Sequence, residues 1–85
     1  MNEKVINIES GIPHQTLRDY FDSIAIRKRG NDYFGAEWEL KIISMHWVCI
    51  GSLKLPRTNL EFKGEAVTIT NLVEEFRLRF LSAGG

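Results

Sequence analysis

The most regular pattern in the sequence lies between Phe34 and Ile42, where apolar and polar residues alternate. Successive side chains of an extended chain point to opposite faces, so this pattern predicts a strand with one apolar and one charged face. The apolar face carries Phe34, Ala36, Trp38, Leu40 and Ile42. The charged face carries Glu37, Glu39 and Lys41. We therefore expect a sheet with one face in the core and the other in water.

Two segments with helical periodicity flank this strand. After Pro13, which suits a first helical turn, Leu17, Tyr20, Phe21 and Ile24 recur three and four positions apart. This stripe predicts an amphipathic helix that ends near Ile24. The same spacing recurs at Ile69, Leu72, Val73, Phe76 and Phe80. That second helix is expected to begin between Glu65 and Thr70, and Gly84 would cap its end.

The other strands are predicted from shorter patterns. Residues 4–8 are rich in β-branched side chains and precede the first helix, and residues 30–32 favour a tight turn between strands. Residues 47–55 are apolar on both sides and should end at Pro56, which has no N–H to donate to a ladder. A shorter last strand is expected over residues 59–63. A break near Ser44 and Met45 separates the two middle strands.

The order strand, helix, three or four strands, helix predicts an α+β fold in a single domain, residues 1–85. The expected architecture is a two-layer sandwich in which an antiparallel sheet of about four strands carries both helices on one face. The chain has 85 residues, of which 44% are hydrophobic, so one core is expected. Its predicted members are Trp38, Leu40, Trp47, Phe62, Leu17, Phe21, Leu72, Phe76 and Phe80.

Charge and cysteine content narrow the functional classes. Eleven Lys and Arg balance eleven Asp and Glu, so no net charge draws the protein to nucleic acid or to an anionic membrane. The single cysteine, Cys49, cannot form an intramolecular disulfide, which favours a cytoplasmic protein, and it is expected to be a small buried side chain. The most apolar window, residues 42–50, is too short to cross a bilayer, so no membrane partner is expected.

No arrangement of residues in the sequence points to a catalytic or metal site. His46 and Cys49 are three positions apart and would point to opposite faces of a strand, so they cannot share a metal ion. No nucleophile, base and stabilising group converge in the predicted fold. We therefore expect no cofactor, no metal and no enzymatic activity.

A second apolar face is the feature that most suggests a function. Val48 and Ile50 should lie opposite the helices, together with Ile43 and Tyr33, whereas Trp47, Cys49, Leu53 and Leu55 should lie on the other side. A soluble monomer does not usually leave such a patch uncovered. The interface residues predicted from it are Ile43, Val48 and Ile50, with Trp47 at the margin. The leading hypothesis is a non-catalytic interaction or accessory protein that forms a homodimer. The N-terminal segment, a twist of the sheet or an unidentified protein partner could cover the patch instead.

Two alternatives remain open. Arg27, Lys28 and Arg29 could form a local basic patch for weak nucleic-acid binding, and the α-β-β-β-α order resembles the double-stranded-RNA-binding domain. That family, however, has lysines at the start of its last helix, where this chain has Glu74 and Glu75.

The second alternative depends on the diglycine Gly84 and Gly85, which resembles the tail of ubiquitin-like sulfur carriers. The resemblance implies a tail that an activating enzyme adenylates. Those carriers place a β-hairpin before the first helix and a strand before the tail, and this sequence predicts neither.

Overall fold

The computed structural model of the chain describes residues 2–81. Its elements are β1 (Glu3–Ser10), α1 (His14–Ile24), β2 (Arg27–Arg29), β3 (Asp32–Gly35), β4 (Trp38–Ile50), β5 (Leu53–Glu65) and α2 (Ala66–Leu81). The strands form one antiparallel sheet in the order β1-β5-β4-β3-β2. The α+β class, the antiparallel sheet and the two helices are confirmed, and the described sheet has five strands.

The core lies between the helices and one face of the sheet. Phe21 of α1 and Phe76 of α2 are stacked with ring centroids 5.7 Å apart, and both contact Phe62 of β5. On the neighbouring strands, Leu40 lies opposite Phe62, and Tyr33 lies opposite Leu40. The buried apolar residues are Leu17, Phe21, Tyr33, Leu40, Ile42, Leu60, Phe62, Ile69, Leu72, Val73 and Phe76.

Six of the nine predicted core residues are buried: Leu17, Phe21, Leu40, Phe62, Leu72 and Phe76. Trp38 and Phe80 are partly buried and pack against this core. Trp47 is 52% exposed, so its placement in the core was wrong. Tyr33 was expected on the uncovered face, but it is fully buried under the helices.

The exchange of faces at Tyr33 follows from a turn that the alternating pattern did not predict. Gly35 pairs with Trp38, so Ala36 and Glu37 form a two-residue turn between β3 and β4. Glu37 has a φ of 64°, in the left-handed region that side chains rarely adopt. Because Gly35 and Trp38 lie opposite each other on the same face, odd-numbered residues before the turn share a face with even-numbered residues after it. Tyr33 therefore faces the core, and Phe34, opposite Glu39, faces outward.

The Glu37 turn is held against β5 at a glycine. The Glu37 carbonyl accepts a hydrogen bond from the Glu65 N–H, with 3.0 Å between the heavy atoms. A Cβ atom at Gly64 would lie 2.2 Å from the same carbonyl oxygen. Only a glycine at position 64 allows the two backbones to approach this closely.

The two middle strands are longer than predicted. β4 does not break near Ser44 and Met45 but continues through an irregularity between Ile42 and Ser44. Pro56 does not end a strand but lies within β5, opposite Trp47. Because β1 ends at Ser10, opposite Thr58, β5 is paired on one side only at Pro56, and its missing N–H breaks no ladder with β1.

The second helix begins where the sequence predicted. α2 starts at Ala66, and the Glu65 carboxylate accepts hydrogen bonds from the Thr68 N–H and hydroxyl, at 2.9 and 3.0 Å. The hydrogen bonds from the backbone of Thr68 and Val67 lower the pKa of Glu65. The predicted cap Gly84 lies outside the described residues. Within residues 2–81, neither helix is long and apolar enough to span a membrane.

Candidate functional site

The β4–β5 hairpin extends beyond the rest of the sheet. β3 last pairs with β4 at Lys41, and β1 last pairs with β5 at Thr58. We call the part of the hairpin beyond these pairs, residues 43–57, the arm. Its tip is a two-residue turn at Gly51 and Ser52, where Gly51 has a φ of 61°. The described molecule measures 47 × 27 × 21 Å, and its long axis matches the length of a 13-residue strand, about 44 Å.

One face of the arm carries an uninterrupted apolar cluster. Val48 lies opposite Leu55, and Ile50 lies opposite Leu53. These four residues lie on the side of the sheet away from the helices, and we call them the outer cluster. Ile50 is 56% exposed and Leu53 is 61% exposed, whereas Val48 and Leu55 are half-buried. The cluster is therefore a continuous apolar surface on a projecting element.

The helix side of the arm is anchored near its base. The His14 ring, at the start of α1, lies 5.0 Å from the Trp47 ring. An Arg18 guanidinium nitrogen lies 3.2 Å from the sulfur of Met45. The Lys54 ammonium lies over the Trp47 ring, 5.6 Å from its centre. The His14 and Arg18 contacts join the arm to α1, whereas the contact between Lys54 and Trp47 lies within the arm. The tip projects beyond these contacts.

The structure brings together some of the predicted interface residues and separates others. Val48 and Ile50 share the outer cluster, and Ile43, at the base of the arm, is 58% exposed. Trp47 is exposed but lies on the helix side, opposite Pro56, so it does not share a face with Val48 and Ile50. The four residues thus lie on one arm but not on one face.

Two expectations about the arm were wrong. Leu53 and Leu55 were expected on the same face as Trp47, but the turn at Gly51 and Ser52 places them opposite Ile50 and Val48. Cys49 was expected to be buried, but its side chain is exposed because the arm projects beyond the helices. The sequence pattern predicted a single strand over residues 47–55. The Gly51-Ser52 pair, which is typical of a two-residue hairpin turn, is the signal that divides this segment into two strands.

The basic segment forms the edge strand β2, and all three of its residues are exposed. Arg27 lies opposite Phe34, on the outer side, with its guanidinium 5.0 Å from the ring centre. Lys28 lies on the helix side, over the Tyr33 ring and 3.6 Å from an Asp22 carboxylate oxygen. The three cations therefore point to two faces of the sheet and do not form a single patch.

One concavity lies at the end of the sheet opposite the arm. It encloses about 480 Å³ and is lined by Asn2, Glu3, Glu37, Trp38, Glu39, Lys63, Gly64 and Glu65. Four of these side chains are carboxylates, and none was predicted as a site residue. Within residues 2–81, no three His, Cys, Asp or Glu side chains are placed to hold a metal ion. Gly84 and Gly85 lie outside the described residues.

Comparison with known proteins gives one finding. A family model described as "Archaeal MoaD-like protein" matches residues 7–85, which is most of the chain. The matched region includes both helices, the arm and the diglycine. The chain gives no match among curated proteins or among solved structures.

Proposed function

The chain belongs to the archaeal MoaD-like family, and we propose that it is a non-catalytic protein-binding domain that forms a homodimer through the arm. The observation that carries this proposal is the outer cluster. It places exposed apolar side chains next to each other on an element that projects from the core. Contiguous apolar surface of this kind is typical of protein contact sites.

Burial of the outer cluster would contribute enough free energy to stabilise a dimer measurably. Complete burial of one Leu or Ile side chain contributes about 1.5–3 kcal/mol. Ile50 and Leu53 are each more than half exposed, so covering each contributes about 1 kcal/mol. In a two-fold dimer every contact occurs twice, so the loss of Ile50 alone costs about 2 kcal/mol, or about a 30-fold weaker dimer.

The test is the molar mass in solution, measured by light scattering over a concentration series. We expect the wild type to be a dimer that Ile50→Asp dissociates, because the substitution places a carboxylate in the apolar contact. Ile26→Asp is the matched control: Ile26 is 78% exposed and lies outside the arm, so this variant should remain a dimer. A wild type that is monomeric at every concentration would contradict the proposal.

The second candidate function is that of a diglycine carrier, which the family match and Gly84-Gly85 favour together. An activating enzyme would join the Gly85 carboxylate to AMP from ATP, with release of pyrophosphate. Sulfide, or a donor of sulfur at the same oxidation level, would then attack the acyl carbon, displace AMP and leave a thiocarboxylate. The described elements depart from the carrier pattern, since β1 alone precedes α1 and α2 is the last described element.

The carrier function has its own test. The chain would be tagged at its N-terminus, with Gly85 left as the last residue, and purified from its native host. Its intact mass would then be measured by mass spectrometry. A carrier should show a fraction in which one oxygen is replaced by one sulfur, and a variant lacking Gly85 should not. If no such fraction forms under any growth condition, the carrier function is excluded.

A further inference from the structure

The arm has an unpaired strand edge in addition to its apolar face. β3 pairs with β4 only as far as Lys41, and the Ile42 N–H donates to the Asn31 carbonyl at 3.1 Å. Beyond this contact, among the described residues, β4 is bonded only to β5. The backbone groups on the other edge of residues 43–50 are therefore open for pairing with another strand.

From Ser44 to Ile50, beyond the irregularity at Ile43, the open β4 edge lacks the features that usually protect a strand edge. Residues 43–50 contain no Lys, Arg, Asp, Glu or Pro. The other free edges are protected: β2 has only three residues and all are basic, and β1 carries Glu3, Lys4 and Glu9. On the far side of the arm, β5 contains Pro56, which cannot donate. Short length, charge and proline are the common protections of edge strands.

We propose that the β4 edge of the arm pairs with the same edge of a second copy of the chain, antiparallel and about a two-fold axis at Trp47. This inference rests on the proposed function, and it specifies the contact. It predicts a sheet that is continuous across the dimer, with backbone hydrogen bonds between the two β4 strands. The outer clusters of the two copies then lie on the same face of the combined sheet, and each Ile50 packs beside Ser44 of the other copy, so the pairing covers the β4 side of each cluster.

The regular part of β4 sets the register. From Ser44 to Ile50, β4 pairs with β5 without irregularity. In an antiparallel pair about a two-fold axis normal to the sheet, opposite residues lie on the same face, so the axis lies midway between the two copies of one residue. The middle residue of this stretch is Trp47. Trp47 then lies opposite Trp47 of the second copy, Met45 opposite Cys49, and Ser44 opposite Ile50.

The length of the open edge supports a second copy as the occupant. In this register, the tip residue Gly51 of one copy lies opposite Ile43 of the other. Counted from the tip of the arm, Ile43 is the last residue of the open edge, because the N–H of the next residue, Ile42, is already bonded to Asn31. The arm of one copy therefore fills the edge left open by the other and stops where β3 begins. Both edges are satisfied by the same symmetric contact.

Disulfide formation between copies tests this register. Opposite residues of an antiparallel pair have Cα atoms about 4.5–5.5 Å apart, within the range that a disulfide spans. Trp47→Cys in a Cys49→Ser background should therefore form a cross-linked dimer under mild oxidation. Met45→Cys, which keeps the native Cys49 and Trp47, should do the same through the Met45–Cys49 position.

Ile50→Cys in the Cys49→Ser background is the matched control. In the proposed register, residue 50 of one copy and residue 50 of the other lie six residues apart along the paired strands. This is about 20 Å, which is too far for a disulfide. We expect both test variants to cross-link at least about tenfold faster than this control. If Ile50→Cys cross-links and the test variants do not, the dimer forms through the outer cluster by face-to-face contact and the edge pairing is wrong.

Light scattering on the same samples distinguishes a failure of self-association from a failure of the β4 edge pairing alone. A dimer in which none of the three variants cross-links overturns the edge pairing and leaves self-association in place. A monomer at every concentration overturns self-association and the edge pairing together. Cross-linking of both test variants, combined with a dimeric mass, supports both.

Discussion

Truncation of Phe76 tests whether the two helices and the sheet share one core. Phe76 is 4% exposed, and its ring lies 5.3–5.9 Å from the rings of Tyr20, Phe21, Phe62 and Phe80. Phe76→Ala removes these contacts and leaves a cavity, so the free energy of unfolding should fall by about 3–5 kcal/mol. The whole chain is expected to have about 4–13 kcal/mol, so this loss is a large part of its stability.

The assay is urea unfolding followed by tryptophan fluorescence, with linear extrapolation to zero denaturant. The measurement belongs in the Ile50→Asp background, because dimer formation would make the apparent stability depend on concentration. Leu78→Ala is the control: Leu78 lies on the same helix, is 62% exposed, and should change the free energy by less than about 0.5 kcal/mol. A loss below about 1 kcal/mol for Phe76→Ala would refute the shared core.

Two further predictions concern the turn at Glu37 and the cap of α2. Gly64→Ala should lower the free energy of unfolding by about 1–3 kcal/mol, because its Cβ would collide with the Glu37 carbonyl; an unchanged urea midpoint would contradict this close approach. Glu65→Gln should lower the melting temperature at neutral pH. The folded-state pKa of Glu65 is lowered, so its stabilising effect is present above the unfolded pKa and is lost as the pH falls through the folded pKa. The difference between variant and wild type should therefore shrink in acid, and a difference that is constant with pH would contradict the role of the ionised cap.

The helices and their buried faces were predictable because each stripe extends over several turns. An error of one residue at a helix end leaves Leu17 and Phe21, or Leu72 and Phe76, on the same stripe. The start of α2 fell within the predicted window for the same reason. These residues account for much of the observed core.

The faces of the strands were harder to predict because their period is two. One unrecognised turn or irregularity exchanges the faces of every residue beyond it. Ala36 and Glu37 are not typical turn residues, and the contact that holds their turn comes from Gly64, far away in the sequence. Tyr33 and Phe34 were exchanged for this reason.

The exposure of the arm could not be predicted from its own residues. Trp47 and Cys49 are residue types that are common in buried strands. They are exposed because β1 ends at Ser10, β3 begins at Asp32 and the helices cover only the base of the arm. These limits come from other segments of the chain. The predicted interface residues all lie on the arm, and the division of Trp47 from Val48 and Ile50 required the observed register.

The position of β1 at the edge of the sheet has a consequence for the order of folding. β1 pairs with β5, so the first and last strands in sequence are neighbours, whereas β4 and β5 are joined by a two-residue turn. Local hairpins close quickly, and contacts between distant segments close slowly because of the loop entropy involved. During synthesis, the β4–β5 hairpin can therefore form as soon as residue 65 has left the ribosome, and β1 must wait for it. The strand that is made first therefore stays unpaired through the synthesis of α1 and the next four strands.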